Sequence, residues 1–370
     1  MSERNDSQSS RRKDPPMYPR NHWYVAAWSR ELVQDKIFAR RIFDQELVLY
    51  RRRSGEPVVQ SGLCPHRRMP LALGTLFGEE LECRYHGITF DADGRCVRIP
   101  TQDTIPPTCR LDTYPAVERG PWIWVWPGDP AQADPALIPD TRSLGLGHPQ
   151  WRAMDNGTYL IEARQQLYVD NLMDLSHVYA LHFPPGLSRN LQLPRIQYEE
   201  RGERKVVTTA TLLPADEFTR LLFPQAGPAV FSVFDAEYIA PGLINAVIAV
   251  HQPNPAMDGP GAALGTLVFP HALTPKSATA THLFMAEARN FRIDDADLDA
   301  PMRESNLRIL TEDKAALEAI EAHLGSELRY RMSVAADSGA LRVRRHIDAL
   351  IAAEQAGARP SNPDTSHTGA

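Results

Sequence analysis

Two patterns of apolar residues divide the chain. Over residues 21–126 they come in short runs: HWYVAAW, RIFDQELVLYRR, PVVQSGLCP, GITFDADGRCVRIP and WIWVWPG mix β-branched and aromatic residues between turn dipeptides. Asp93-Gly94, flanked by GITFDA and RCVRIP, is a hairpin turn. This pattern predicts a small all-β domain. Residues 128–149 are rich in Pro, Asp and Gly and mark a boundary. Beyond it, YLIEARQQLYVDNLMDLSHVYALHFPP reads as helical up to the Pro184-Pro185 break. KVVTTATLL, AVFSVFDAEYIA, LINAVIAVHQP, GTLVFPHALTP and ATHLFMAEARNF alternate like strands of an antiparallel sheet. A long helix is predicted over residues 300–328, with Met302, Leu307, Leu310, Leu317, Ile320 and Leu324 near helical spacing. The expected layout is a tail over 1–20, an all-β domain over 21–135, an α+β domain over 150–352 and a second tail over 353–370.

Composition narrows the class. A formal net charge of -6 on 370 residues lacks the basic excess that a nucleic-acid or anionic-membrane partner demands. No run of eighteen apolar residues exists; the nearest candidate, residues 231–250, is broken by Asp235, Glu237 and Pro241. MSERNDSQSSRRKDPP has no apolar stretch and reads, like EQAGARPSNPDTSHTGA, as an unstructured tail. Four cysteines (Cys64, Cys83, Cys96 and Cys109) are too few and too far apart for a disulfide framework, which points to a reducing, cytoplasmic compartment. Gly145-Leu-Gly147 runs at once into Pro149, so no nucleotide-binding strand–turn–helix is present.

The chemistry concentrates in CPHRRMPLALGTLFGEELECRYHG. Cys64-x-His66 and Cys83-x-x-His86 stand sixteen residues apart. Structural zinc accepts two Cys and two His, but zinc knuckles generally pair like with like at each end. Here each end supplies one of each, which suits a two-iron cluster with cysteines on one iron and histidines on the other. The pair resembles the Rieske [2Fe–2S] motif, with Cys64, His66, Cys83 and His86 as the implied ligands. Neither loop carries the additional cysteine of respiratory-type Rieske proteins, and Cys96 and Cys109 read as small buried hydrophobes. A zinc site remains the alternative reading of these four residues.

A second group lies in Asp170-Asn-Leu-Met-Asp174-Leu-Ser-His177-Val-Tyr-Ala-Leu-His182. On a regular helix, five residues put His177 and His182 about 140° apart, so the two converge only where the helix breaks or bulges. Asp174 and His177, three apart, share a side. A His-x4-His pair alone is more often a satisfied surface or core pair. Beside a Rieske motif, however, Asp-x3-Asp-x2-His-x4-His resembles the mononuclear iron motif of Rieske non-haem iron oxygenases. The resemblance implies His177 and His182 as imidazole ligands of Fe(II), with positions left open for O2. Thr311-Glu312-Asp313-Lys314 resembles the late helix that supplies the carboxylate, here Asp313. Asp294, Asp295 and Asp297 read instead as turn and N-cap residues. By the same resemblance Asp174 bridges His86 to His177, carrying electrons between sites, and Asn171 is a further candidate catalytic residue. In the family that bridge crosses between the subunits of a head-to-tail homotrimer.

The resemblance spans roughly residues 20–350 and narrows to the vanillate and dicamba O-demethylase branch through Asn21-His22-Trp23-Tyr24, DNLMDLSH, HALTP, EARNF and TEDKAALEAIE. It implies a helix-grip-like catalytic domain, a small aromatic substrate, O2, and NAD(P)H electrons delivered by a separate reductase or ferredoxin. The implied reaction is oxidative O-demethylation, with N-dealkylation or ring or methyl hydroxylation as alternatives within the same chemistry. LLFPQAGPAVFSVF and LINAVIAVHQP are candidate pocket walls, and His271 matches a position that approaches substrate. Arg220 and Arg289 are candidates to pair a substrate carboxylate. An electron-transfer protein without oxygenase activity is the reading from a different class.

Overall fold

The computed structural model describes residues 18–183, 195–202, 204–256, 259–324 and 332–360. The N-terminal region is built of three small antiparallel sheets. One joins Tyr24–Trp28 to Trp122–Val125 and Ala116–Arg119; the second joins Phe38–Ile42, Gln45–Arg51, Pro57–Ser61 and Thr113–Tyr114. The third joins Thr75–Phe77, Glu80–Glu82, Thr89–Phe90 and Cys96–Arg98. RIFDQELVLYRR, read as one strand, is in fact a hairpin. Phe43 and Asp44 both adopt positive φ (53° and 63°), and their N–H groups donate to the Pro275 and Lys276 carbonyls at 2.8 and 2.9 Å. A tertiary contact thus holds a turn that the local sequence does not advertise. The hairpin at Asp93-Gly94 is as expected, with Gly94 at φ 77°.

The rest is one seven-stranded antiparallel sheet with helices on one face. We label its strands β1 (Arg152–Ile161), β2 (Gln197–Arg201), β3 (Arg204–Pro214), β4 (Ala229–Ala240), β5 (Leu243–Pro253), β6 (Pro260–Ser277) and β7 (Ala280–Arg289), in spatial order β1-β7-β6-β5-β4-β3-β2. The helices are α1 (Gln165–Leu172), α2 (Glu217–Leu222), α3 (Asp299–Leu324) and α4 (Ser338–Gln355). The expected α+β class, an all-β domain followed by an antiparallel sheet with helices, is what folds.

Three local expectations change. The helix read from Tyr159 begins only at Gln165, because Tyr159–Ile161 pair with Thr281–Leu283 as the end of β1. Tertiary pairing overrides a locally ambiguous run. Along α3, Leu307 and Ile320 are 45% and 44% exposed, while Met302, Asn306, Leu310, Asp313 and Leu317 are buried. Two polar residues therefore occupy the inward face, and reading apolar residues alone tilts that face to the wrong side. Residues 325–328, expected to end this helix, lie outside the described residues. Finally, α4 runs to Gln355, into the expected C-terminal tail; the Glu354 carboxylate accepts the Arg20 and Asn21 N–H groups at 2.9 and 2.5 Å. Residues 1–17 and 361–370 lie outside the described residues.

Strand β7 shows why the sheet is apolar on both sides. Leu283 and Met285 point into the core shared with α1, α3 and α4, whereas Phe284 and Ala286 join Trp23, Trp28, Trp122, Trp124 and Trp126 on the other side. Each fully buried tryptophan contributes about 4–6 kcal/mol by buried area, an upper figure against an extended chain. Trp28 Nε1 donates to Thr158 Oγ1 (3.0 Å), Thr274 Oγ1 to the Val25 carbonyl (2.6 Å) and His282 Nε2 to the Arg41 carbonyl (2.9 Å), so the seam is also pinned by hydrogen bonds.

Candidate cluster and metal sites

The two cysteine–histidine loops are near copies of one another. Cys64 N–H donates to the Met69 carbonyl (2.9 Å) and Arg68 N–H to the Cys64 carbonyl (2.8 Å). In the second loop Cys83 N–H donates to the Ile88 carbonyl (2.8 Å) and Gly87 N–H to the Cys83 carbonyl (2.9 Å). The fourth residue after each cysteine is left-handed, Arg68 at φ 57° and Gly87 at φ 67°. A glycine suits the second position for a further reason: a Cβ there would sit 3.0 Å from Pro100 Cγ. The turns push both thiols inward, where they are 2% and 1% exposed, and leave both imidazoles at the surface with ring centroids 4.6 Å apart. Burial pushes the Cys64 thiol up to about 11, and the adjacent Cys83 adds to the shift. Two buried thiols that repel each other when ionised, beside two imidazoles, form a donor set that fits a cationic two-iron cluster with one thiolate end and one imidazole end.

The second site is assembled from α1, the segment after it and α3. Helix α1 is clamped at both ends. Arg164 pairs with Glu321 of α3 (2.6 Å), and Arg344 of α4 donates to Asp170 (2.9 Å). Asp170 is therefore a structural ion-pair partner. After Leu172 the chain turns, and Asp174 Oδ1 accepts the Ser176 N–H (2.9 Å). The chain then forms a π-helix over Val178–His182. Its i to i+5 hydrogen bonding brings residues five apart to one side, which answers the geometric objection to pairing His177 with His182. Their rings stand 5.3 Å apart, and one nitrogen from each lies with an Asp313 oxygen in a cluster spanning at most 4.8 Å.

Each histidine has one nitrogen committed away from that cluster. The His177 Nδ1–H donates to the Asp174 backbone carbonyl (2.5 Å), which leaves Nε2 facing Asp313 Oδ1 at 3.6 Å. The His182 Nδ1–H donates to Glu312 Oε2 (2.8 Å), which leaves Nε2 at 3.3 Å from Asp313 Oδ1. Desolvation lowers the His177 pKa against the opposing pull of Asp313. Desolvation also acts against His182, but Asp313 and Glu312 together hold its pKa above the ordinary value. Burial acts to raise the Asp313 pKa, yet His182, His177 and Asn171 outweigh it and hold the carboxyl below its usual range. Two imidazoles with free Nε2 atoms and one ionised carboxylate fit an open-sided two-histidine, one-carboxylate iron site.

Asn171 belongs to the same cluster, donating to Asp313 Oδ1 (3.1 Å) with its Nδ2 also 3.5 Å from His177 Nε2. Asp174 meets His177 through its carbonyl and not, within one chain, through its carboxylate. His271 is buried on β6, 6.1 Å between ring centroids from Tyr168, with its Nδ1 unpartnered and its pKa lowered to about 4 by burial. Arg289 is not free for a substrate: its guanidinium donates to Asp299 Oδ1 (2.9 Å) and the Asp295 carbonyl. Sequence reasoning missed Glu312, although it stands beside Asp313 in the quoted TEDK, because nothing in the spacing shows that it reaches His182. Asp295 does cap a helical turn, accepting the Asp297 N–H (3.1 Å) as expected.

A thiol–imidazole cluster cradle and a two-histidine, one-carboxylate site in one chain define the class, the Rieske non-haem iron oxygenases. Residues 22–115 match the Rieske [2Fe-2S] domain and residues 161–353 the vanillate O-demethylase oxygenase C-terminal domain. The chain is 34% identical to the iron–sulfur subunit TsaM1 of the toluene-4-sulfonate monooxygenase system of Comamonas testosteroni, covering 93% of this chain and 100% of that one. It is also 34% identical to the dicamba O-demethylase oxygenase component of Stenotrophomonas maltophilia, over 92% and 99% of the two chains. The crystal structure of dicamba monooxygenase bound to dicamba superimposes with a TM-score of 0.77 at 32% identity, covering 91% of this chain and 98% of that one. The chain belongs to the vanillate O-demethylase oxygenase family, and it is the oxygenase component of a Rieske-type monooxygenase with a [2Fe–2S] cluster and a mononuclear iron. A reductase or ferredoxin is its implied electron donor, and no helix among the described residues is long and apolar enough to cross a membrane.

Proposed function

We propose that this enzyme removes a methyl group from a methoxylated aromatic by oxidation. The balance is one methyl aryl ether, O2, NAD(P)H and a proton giving a phenol, formaldehyde, water and NAD(P)+. The observation that carries this reading is the convergence of His177, His182 and Asp313 in a chain of the O-demethylase family. Cys64 and Cys83 would hold one iron of the cluster, His66 and His86 the other, and His177, His182 and Asp313 the mononuclear iron. When bound, these groups supply the stored electron and the activation of O2 that hydroxylates the methyl carbon. The chain's own residues do the rest. The Asp174 carbonyl and Glu312 fix the two imidazole tautomers so that both Nε2 lone pairs face inward. Asn171 holds Asp313 at one oxygen. The buried Tyr168 and His271 keep that side of the site dry. The hydroxymethyl ether so formed collapses without further help to phenol and formaldehyde.

The electron path is read as Asp174 reaching His86 of the partner subunit in a head-to-tail trimer. What supports this is that the Asp174 carboxylate has only the Ser176 N–H as a partner among the described residues, while the His86 ring is exposed. Light scattering tests the trimer. The reaction is tested by measuring O2 uptake and formaldehyde release with a surrogate reductase across methoxyarenes, N-alkyl anilides and methylarenes. Formaldehyde from methoxyarenes is expected. Coupled O2 uptake with methylarenes alone, yielding benzylic alcohol, would overturn O-demethylation.

A further inference from the structure

Helix α3 carries polar residues at two places on its buried face, and only one of them serves the iron. Along that face Met302, Asn306, Leu310, Asp313 and Leu317 follow one another, so Asn306 stands between apolar neighbours just as Asp313 does. Asn306 precedes Asp313 by seven residues. At 100° and 1.5 Å per residue they lie about 20° apart around the helix axis and about 10 Å apart along it. Asn306 Nδ2 donates to Glu287 Oε2 (3.4 Å), and Asn156 Nδ2 of β1 donates to the same oxygen (2.8 Å). Glu287, on β7, is 1% exposed. Two residues further along β7, Arg289 donates to Oδ1 of Asp299 (2.9 Å), the first residue of α3, and Arg152 of β1 donates to the same oxygen (2.8 Å). The EARNF stretch, through Glu287 and Arg289, thus grips α3 at two points.

Stability does not account for the grip at Glu287. A buried acid normally has a cation as partner, but both donors to Glu287 are amides, and among the described residues no salt bridge reaches it. Burial pushes its carboxyl up against the opposing pull of the two amides. Well-packed apolar side chains of similar size at positions 156, 287 and 306 would be as stable or more so. What the polar group adds is direction. Apolar packing alone tolerates a helix that slides or rolls. A one-turn slip of α3 either way, by contrast, would set Leu310 or Met302 against Glu287 and leave the acid without Asn306. A roll is equally consequential: for a side chain about 6 Å from the axis, about 20° of rotation shifts the Asp313 carboxylate by about 2 Å. That is a large fraction of the 3.3 and 3.6 Å that separate it from the two Nε2 atoms. Asp299 pins only the end of the helix, and Asn306 is the second point that sets its roll.

We propose that Glu287 is a positioning residue for the mononuclear iron site: through Asn306 it fixes the register and roll of α3, and so the place where Asp313 meets His177 and His182. Asn156 holds the Glu287 carboxylate from the neighbouring strand. The inference rests on Asp313 as the carboxylate ligand and not on which substrate is demethylated. Groups that orient a metal ligand from outside the coordination sphere are worth about 10- to 100-fold in metal affinity.

The test compares the wild type with Glu287→Gln and with a triple variant that combines Asn156→Leu, Glu287→Met and Asn306→Leu. Anaerobic Fe(II) titration of cluster-loaded protein gives the mononuclear iron Kd, and thermal melts of the same protein stripped of that iron give the stability. Glu287→Gln keeps an acceptor for the two amides and is expected to bind iron as the wild type does. The triple variant is expected to melt no lower than the wild type yet to bind iron about 10- to 100-fold more weakly. Unchanged iron affinity in the triple variant, a melting temperature that falls along with its affinity, or weakened binding in Glu287→Gln would each overturn the inference. Asp313→Ala is titrated alongside. If it keeps wild-type affinity, the ligand assignment fails and this inference with it; if it loses affinity while the triple variant does not, this inference alone fails.

Discussion

Glu312→Ala should weaken the mononuclear iron site without touching the cluster. The carboxylate lies 2.8 Å from His182 Nδ1 and is the only group among the described residues that receives that N–H. Removing it frees the ring to rotate and to adopt the other tautomer, so Nε2 no longer presents a fixed lone pair to the site. A hydrogen bond to a charged group is worth about 1.5–3 kcal/mol. Here the lower end applies, because the Glu312 side chain is 31% exposed and shared with Arg308 at 3.0 Å. The expected loss is about 1.5 kcal/mol, or about tenfold in iron affinity. The assay is anaerobic Fe(II) titration of protein stripped of mononuclear iron but retaining its visible cluster spectrum. Glu312→Gln keeps an acceptor at the same place and should recover most of the affinity. An unchanged iron Kd in the alanine variant, or equal losses in both, would refute the orienting role.

Four further outcomes are expected. Asp174→Asn should leave both metal sites filled and nearly abolish turnover; full steady-state activity would remove the bridge. His177→Ala should lose the mononuclear iron, by metal analysis, while the visible Rieske spectrum persists, and loss of the cluster instead would mean general instability. Gly87→Ala forces a side chain into φ 67° against Pro100, so cluster loading, read as absorbance per protein, should fall with a cost of about 1–2 kcal/mol. His282, at the seam between the two regions, has its pKa lowered by burial to about 4, so the unfolded chain binds more protons between about pH 6.5 and 4 and stability falls as pH falls through that window. From pH 7.5 to 5.5 the loss is at most about 1.4 kcal/mol, and His282→Gln should shrink the difference between urea melts at those two pH values by about that amount, while His22, His271 and His346, also lowered to about 4 by burial, keep the rest.

How much was legible beforehand depended on whether a residue's role is local. Cys64, His66, Cys83 and His86 lie on two short turns whose geometry is set within six residues, so a local stretch of sequence was enough to carry the resemblance to the Rieske motif that singled them out. His177 and His182 were visible as a pair but not as a convergent pair, because a π-helix is a rare departure that no periodicity announces. Asp313 needed the family's late-helix motif, since an acid on a helix is ordinarily solvated. Glu312 carries no local mark at all. Its meaning arises only when α3 is laid against the π-helical turn that bears His182, a contact between residues that are distant in sequence. The hairpin at Phe43-Asp44 failed for the same reason, held as it is by carbonyls more than two hundred residues away.

The tryptophan seam has a consequence for how this enzyme can be taken apart. Cut free near residue 128, the electron-storing half would expose Trp23, Trp28, Trp122, Trp124 and Trp126, and α4 would lose the Arg20–Asn21 backbone that its Glu354 grips. Such a fragment would present an apolar patch prone to self-association. The cluster region is therefore no interchangeable cartridge that could be lifted out and transplanted as a module.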